Sequence, residues 1–463
     1  MYILVINGSP SGDSSITLQT MRYLEKKFPE HIYSVLHAGQ QIRKMEQDFS
    51  HCIEEVQKAD LIVFCYPVYT FLVPAQLYRF VQLLKESTID LSGKYATQIT
   101  TSKHFYDMTA HALIEDNCHD LGLHVIHGLS ADMEDLLHAQ GQKEAEAFFH
   151  QVLWSMKQGI FEPDRRMETV KQGIYAQPGE EVKKKDGRYV IVADYDETDA
   201  QDAVLRSMIA RFQNRASRRT DIVNLRKFPF AGGCLGCFKC AADGTCIYRD
   251  GFADLLRDQI QTADAIIYAF RIQDHMMGYR FKLYDDRQFC NGHRTVTMGM
   301  PQGYLVDGDL SAEKNLCTVM EARAEVGGNP LCGIASSMND PDQEIDMLAE
   351  RLEYALMHHY TQPKNFYGVG GLKIFRDLIW QMQGLMQEDH RFYKKHGFYD
   401  FPQKKLPMML AMYGVGSLMR NKKLQKKMKV SMTQGMLLPY QKIIEKAGRK
   451  SRKTQRKPTS KSE

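Results

Sequence analysis

Two stretches of this chain, "KADLIVFCYPVY" from Lys58 and "TADAIIYAFRIQ" from Thr262, share one pattern: a helix end, an Ala-Asp turn and then an apolar run almost free of polar residues. A strand that is apolar on both faces is buried on both, which is the condition of a strand inside a parallel sheet covered by helices. The rest of the chain repeats the theme. Apolar runs at 2–6, 32–36, 61–66, 95–100 and 124–126 alternate with helical periodicity over the first 160 residues. The alternation starts again with "RYVIVADY" at 188, "TDIVNL" at 220, "ADAIIYAF" at 263, "TVTMGM" at 295 and "PLCGIASS" at 330. This order predicts an α/β chain in which one doubly wound fold is duplicated.

With 463 residues, 43% of them apolar, the chain has enough core for two or three domains. The polar segment 161–187 reads as a linker between a domain at 1–160 and a second at 188–362, followed by a helical extension at 363–445 and a basic, disordered tail at 446–463. The extension's Met- and aromatic-rich stretches, "GLKIFRDLIWQMQGLM" and "LPMMLAMYGVGSLM", are expected to pack on the domains rather than on a membrane surface. The formal charge of +4 belongs to the tail, where eight Lys or Arg face the single Glu463, and the body is left at about −3. The tail therefore reads as a solvated end and not as a nucleic-acid arm. "MYILVINGSP" has no basic n-region and no cleavage site, and Pro67 and Pro74 interrupt the most membrane-like run. A cytoplasmic protein without a membrane span is expected.

Two loops carry the candidate chemistry. "NGSPSGDSSIT" at 7–17 joins the first strand to the first helix and offers the hydroxyls of Ser9, Ser11, Ser14, Ser15 and Thr17 beside a helix N-terminus, a pocket suited to phosphate. It lacks the G-K-[ST] ending of a nucleotide triphosphate loop. "YPVYTFLVPAQL" at 66–77 follows the third strand and sets aromatics between two prolines, which suits a flat ring stacked at the sheet's carboxyl edge. "TTSKHFYD" at 100–107 adds Thr101 and Ser102 to the same rim. "YGVGGLK" at 367 and "YGVGSLM" at 413 both lack the third glycine of a dinucleotide fingerprint.

"NGSPSGDSS" and "ADLIVFCYPVYTFLVPAQL" resemble the phosphate loop and ring loop of the flavodoxin-like NAD(P)H-dependent FMN reductases, a group that includes the iron–sulfur flavoproteins. The resemblance covers about residues 1–135 and, more weakly, 188–360. It implies two flavodoxin-like domains with strand order 2-1-3-4-5. It also implies an FMN phosphate at Ser9, Ser11, Ser14, Ser15 and Thr17, and an isoalloxazine cradled by Pro67, Val68, Tyr69, Thr70 and Phe71. The first loop departs from the common "SPRKNSNT" by lacking its basic pair and Asn, and Tyr78 stands where a lysine is frequent.

"CLGCFKCAADGTC" at 234–246 places Cys234, Cys237, Cys240 and Cys246 between the second strand and the next helix of the second repeat. The spacing could gather thiolates around a [4Fe–4S] cluster, hold zinc, or leave bare reduced thiols. It resembles the compact cluster motif of the iron–sulfur flavoproteins, including the later Asp250. The other six cysteines, Cys290 among them, read as inert buried thiols. Where the first repeat has its hydroxyl loop, the second reads "ADYDETD", whose carboxylates would repel phosphate, so the second domain is expected to keep the fold without the flavin.

The reading is an FMN-dependent NAD(P)H oxidoreductase passing electrons from a nicotinamide nucleotide to a small-molecule or protein acceptor, with the cysteine loop as a candidate [4Fe–4S] relay and room for homo-oligomers. Its rivals are a flavodoxin- and ferredoxin-like electron carrier, and a non-redox scaffold or RNA-binding protein using the basic tail. His104 and His275 read as surface or packing residues.

Overall fold

The computed structural model describes residues 1–164, 166, 173–419 and 443. The first parallel sheet contains β1 (Tyr2–Asn7), β2 (Ile32–Leu36), β3 (Leu61–Pro67), β4 (Tyr95–Ser102) and β5 (His124–Val125) in the order β2-β1-β3-β4-β5, and β6 (Leu129–Asp132) pairs with the far end of β4. The second contains β7 (Lys185–Asp194), β8 (Arg218–Asn224), β9 (Ala265–Arg271), β10 (Gln302–Asp307) and β11 (Leu331–Ser336) in the order β8-β7-β9-β10-β11. Both orders are the flavodoxin-like 2-1-3-4-5, with helices between successive strands.

The central strands are those whose runs are apolar on both faces: Ile3–Ile6, Leu61–Phe64 and Tyr189–Val192 are fully buried. One strand lies elsewhere than expected. "TVTMGM" at 295–300 is a series of turns, and the strand is the following "QGYLVD". The turn segment spends its backbone locally, through Val296 N–H to Arg294 and Met298 N–H to Thr295, while Asn329 Nδ2 takes the carbonyls of Thr297 and Met300. Gly303 lets Leu348 of the covering helix approach: a Cβ there would stand 2.6 Å from Leu348 Cδ1.

The halves share a core. Ile62, Phe64 and Leu77 of the first belong to the same buried cluster as Tyr268, Phe281 and Leu316 of the second. Met1–His396 accordingly forms one compact unit, and Gly397 onward separates as another. The Phe366–Gln381 helix packs as expected, with Phe375 stacked on Phe105 at 4.3 Å. In the Leu406–Met419 helix, part of the separate unit from Gly397 onward, the large side chains from Leu406 to Tyr413 are exposed. The tail at 446–463 and much of the extension lie outside the described residues.

Candidate functional site

At the carboxyl edge of the first sheet lies a cavity of 330 Å³. Its floor begins where β1 ends. Asn7 Nδ2 donates to Gly12 O at 2.9 Å, and Asn7 Oδ1 accepts from Ser9 N at 3.2 Å, which curls the loop back on itself. Ser15 caps the Ile16–Lys27 helix by accepting from Leu18 N at 3.3 Å, and Thr17 Oγ1 meets Thr101 Oγ1 at 2.5 Å, tying this loop to β4. Ser9 Oγ accepts from Ser11 N at 3.3 Å, so three of the five hydroxyls shape the loop. Ser11 precedes the Gly12–Ser14 turn without capping it, and Ser11 and Ser14 lie exposed at the mouth. All five residues line the cavity, as do Thr101 and Ser102.

Beyond β3 the chain makes a two-residue turn. Tyr69 and Leu72 exchange backbone hydrogen bonds of 2.8 and 3.0 Å, and Thr70 and Phe71 adopt the left-handed region at φ 42° and 70°. The second half pins this turn. Lys282 Nζ donates to Tyr69 O at 2.6 Å and pairs with Asp286 at 2.5 Å, and Asp286 in turn accepts from Ala75 N at 2.8 Å. Burial pushes Asp286 up to about 6, while the Lys282 ammonium and the Ala75 N–H favour its charged form. Pro67, Val68, Tyr69 and Thr70 line the cavity. The Thr70 hydroxyl is buried and has no hydrogen-bond partner among the described residues. Phe71 does not face this cavity: the turn rotates it onto Phe105 and Tyr106, at 5.2 and 4.7 Å, beside a smaller cavity of 170 Å³.

The opposite wall is the cysteine loop. Cys234, Cys237, Cys240 and Cys246 all line the cavity, and Cys290, read from sequence as an inert thiol, joins them. Tyr69 and this loop interlock: Gly236 sits at φ 63°, and a Cβ there would fall 2.1 Å from the Tyr69 hydroxyl. Arg287 buckles the ends of the loop together. Its guanidinium is forked onto Asp250 with two bonds of 2.8 Å, donates to Gly232 O at 2.9 Å and lies over the Tyr248 ring. Asp250 also accepts from Ala231 N at 2.9 Å. Burial pushes the thiols of Cys234 and Cys240 up to about 12 and about 11. The donor type suits a metal cluster. The grouping does not: among the described residues no three His, Cys, Asp or Glu side chains are gathered as a metal site.

Distant segments complete the enclosure. Ile374, Phe375 and Leu378 of the Phe366–Gln381 helix close over it, and His293 lines it with Nδ1 held 2.9 Å from buried Asp389. No local motif marks these residues in sequence, because they reach the cavity only through tertiary folding. His104 sits 2.8 Å from Asp107 at the surface, and His275 is wedged between Asp120 and Glu313 where the halves meet.

The equivalent rim of the second half is occupied by its own charges. Arg226 reaches Asp194, Asp196 and Asp202 at 3.0, 3.4 and 3.5 Å, and Arg271 reaches Asp202 at 3.1 Å. Ile174 N–H bonds Ser337 O at the end of β11, bringing residues 173–176 against the same edge. The acidic residues that would repel a phosphate are neutralised in place.

The fold and rim define a flavodoxin-like protein, and residues 1–111 match the family described as flavodoxin-like fold. The chain is similar to an iron–sulfur flavoprotein of Archaeoglobus fulgidus, 25% identical over 174 residues that make up 36% of this chain and 79% of the relative. Among solved structures, an NADH:FMN oxidoreductase aligns at 16% identity and TM-score 0.30 over 35% of this chain and 91% of its own. An FMN-dependent NADH-azoreductase from Bacillus anthracis aligns at 14% identity and TM-score 0.26 over 32% of this chain and 98% of its own.

Proposed function

We propose that this chain is an FMN-dependent NAD(P)H oxidoreductase. FMN rests in the cavity with its phosphate among Ser9, Ser11, Ser14, Ser15 and Thr17 and its ring against Pro67, Val68, Tyr69 and Thr70. Electrons from a nicotinamide nucleotide pass through it to a small-molecule or protein acceptor. One observation carries this reading: a hydroxyl-ringed helix N-terminus and an aromatic wall open into the same cavity, at the sheet edge where doubly wound folds take ligands. The family match over residues 1–111 and the similarity to an iron–sulfur flavoprotein support it.

Bound FMN supplies the hydride and single-electron chemistry. The chain supplies the rest. The free N–H groups and dipole of the Ile16–Lys27 helix attract the phosphate dianion. The unpartnered Thr70 hydroxyl is free to bond a polar edge of the ring. Burial, with Cys234 and Asp286 nearby, holds the Tyr69 phenol far above its ordinary value, so it stays protonated. Phe105 and Phe375 narrow the mouth and exclude water. The second half forms one wall of the site.

Titration of the full chain with FMN tests this: one FMN per chain with quenched flavin fluorescence, then anaerobic bleaching by NADH or NADPH. No binding overturns the reading, and bleaching without steady turnover on a quinone leaves an electron carrier. A [4Fe–4S] cluster as a second element has the four thiols and the relative's name in its favour, and the spread of those thiols in this structure against it. Iron analysis of anaerobically purified protein decides it: about four irons per chain support the cluster, and fewer than about two reject it.

A further inference from the structure

The smaller cavity, of 170 Å³, lies at the amino ends of β9 and β10, the sheet edge opposite the one at which doubly wound folds take ligands. It shares Thr70, Phe105, Phe289, Gly292, His293 and Phe375 with the larger cavity, so the two are neighbours. Gln302 opens β10, and strand alternation sets it on the face of Tyr304 and Val306, which belong to the core the halves share. Its side chain lines the small cavity and is only 5% exposed, yet among the described residues the amide makes no hydrogen bond. Asp285, on the Gly278–Arg287 helix and 1% exposed, lines the cavity as well. Arg323 and Gln288 take its Oδ1, at 2.6 and 3.2 Å, while Oδ2 is left without a partner. The Thr295 hydroxyl, on a third lining residue, is buried and unpartnered too. Buried polar groups are hydrogen-bonded as a rule, so three orphans around one cavity point to a ligand that serves them.

The walls narrow the choice of ligand. A cation finds no spare negative charge, because Arg323 is paired with Asp285 and Arg294 with Glu388 and Asp389, at 3.8 and 3.6 Å. An anion would meet the Asp285 carboxylate. Water would serve the polar groups but leave the rings of Phe71, Phe105, Tyr268, Tyr284, Phe289 and Phe375 facing it. The size suits one ring, since a dry cavity of about 150 Å³ holds a benzene molecule. A hydroxyl on that ring brings both a donor and an acceptor. We propose that the smaller cavity is a binding site for a neutral one-ring phenol, with its ring against Tyr268, Tyr284 and Phe289 and its hydroxyl donating to Asp285 Oδ2 while accepting from Gln302 or Thr295. The inference does not depend on what the larger cavity binds.

Calorimetric titration of the full chain with phenol, toluene and benzoate tests it. Phenol should bind at least about tenfold tighter than toluene, which has the same size without the hydroxyl's hydrogen bonds, and than benzoate, which carries a charge. Gln302 and Thr295 line only the smaller cavity. The variant Gln302→Leu/Thr295→Val should therefore lose at least about tenfold in phenol affinity while its toluene affinity stays unchanged. It should also keep the wild-type unfolding midpoint, because neither side chain gives up a hydrogen bond made in the free protein. Three results would overturn the proposal: toluene binding as tightly as phenol, no phenol binding, which leaves the orphaned groups to water, or phenol binding the variant as tightly as wild type, which places it elsewhere.

Discussion

Both halves of the molecule end a central strand in the same turn and treat it differently. Thr70–Phe71 after β3 and Asp274–His275 after β9 share the left-handed backbone and the same pair of flanking hydrogen bonds. Each turn is held from the other half at the equivalent carbonyl, Tyr69 O by Lys282 at 2.6 Å and Gln273 O by Tyr78 at 2.8 Å. The geometry has survived duplication and the chemistry has not. Thr70 keeps an unspent hydroxyl at a cavity, whereas Asp274 is spent on Lys85 and Gln82 and His275 on Asp120 and Glu313. One rim kept an open cavity and the other is filled by its own ion pairs, while the wall that closes the first comes from the cysteine loop.

Breaking the reciprocal clamp should give the largest asymmetry. Lys282→Ala leaves Asp286 buried without its counter-ion and should cost about 3–5 kcal/mol in urea unfolding, whereas Tyr78→Phe removes one neutral hydrogen bond and should cost about 1 kcal/mol. Equal losses would show that the two clamps are equivalent. Next, Ser15→Asp imports the second rim's carboxylate into the first. FMN affinity, read by fluorescence titration, should fall at least about a hundredfold, or about 2.7 kcal/mol.

The third contrast is pH. Burial opposes the His275 charge, but the hydrogen bonds of Asp120 and Glu313 outweigh it and raise the ring to about 9. Arg166 Nη1 lies 2.6 Å from Nε2, yet a protonated ring cannot accept from it, so the guanidinium belongs to Asp120 and Asp164, at 2.8 and 2.7 Å. A raised folded value stabilises fully below about pH 6.5, the unfolded value, and the gain disappears as pH climbs through about 9. Wild type should therefore lose about 2 kcal/mol between pH 6 and pH 10 that His275→Gln does not. The smallest effect is backbone strain. Thr70→Gly should raise stability by about 1 kcal/mol by relieving a left-handed, β-branched residue, while Asp274→Gly should show no gain because it gives up the Lys85 ion pair.

Much of this was legible in sequence, for local reasons. Ile3–Ile6 and Tyr189–Val192 announce central strands because nothing polar interrupts them, and the serines of the first loop reach the cavity because they follow a strand at its carboxyl end. "TVTMGM" misleads because its β-branched alternation is satisfied by turns, while "QGYLVD" hides behind a glycine that serves helix packing. Phe71 turns away from the cavity because a left-handed turn reverses the side expected from alternation. Arg287, His293, Phe375 and Cys290 reach the cavity from segments far from the first loops along the chain, and no spacing rule announces that.

The clamp on the Tyr69 carbonyl also orders events in time. Lys282 is made 213 residues after the group it holds. A growing chain that has finished its first sheet therefore holds that turn by the Tyr69–Leu72 backbone pair alone until the helix at Gly278–Arg287 is synthesised and docked.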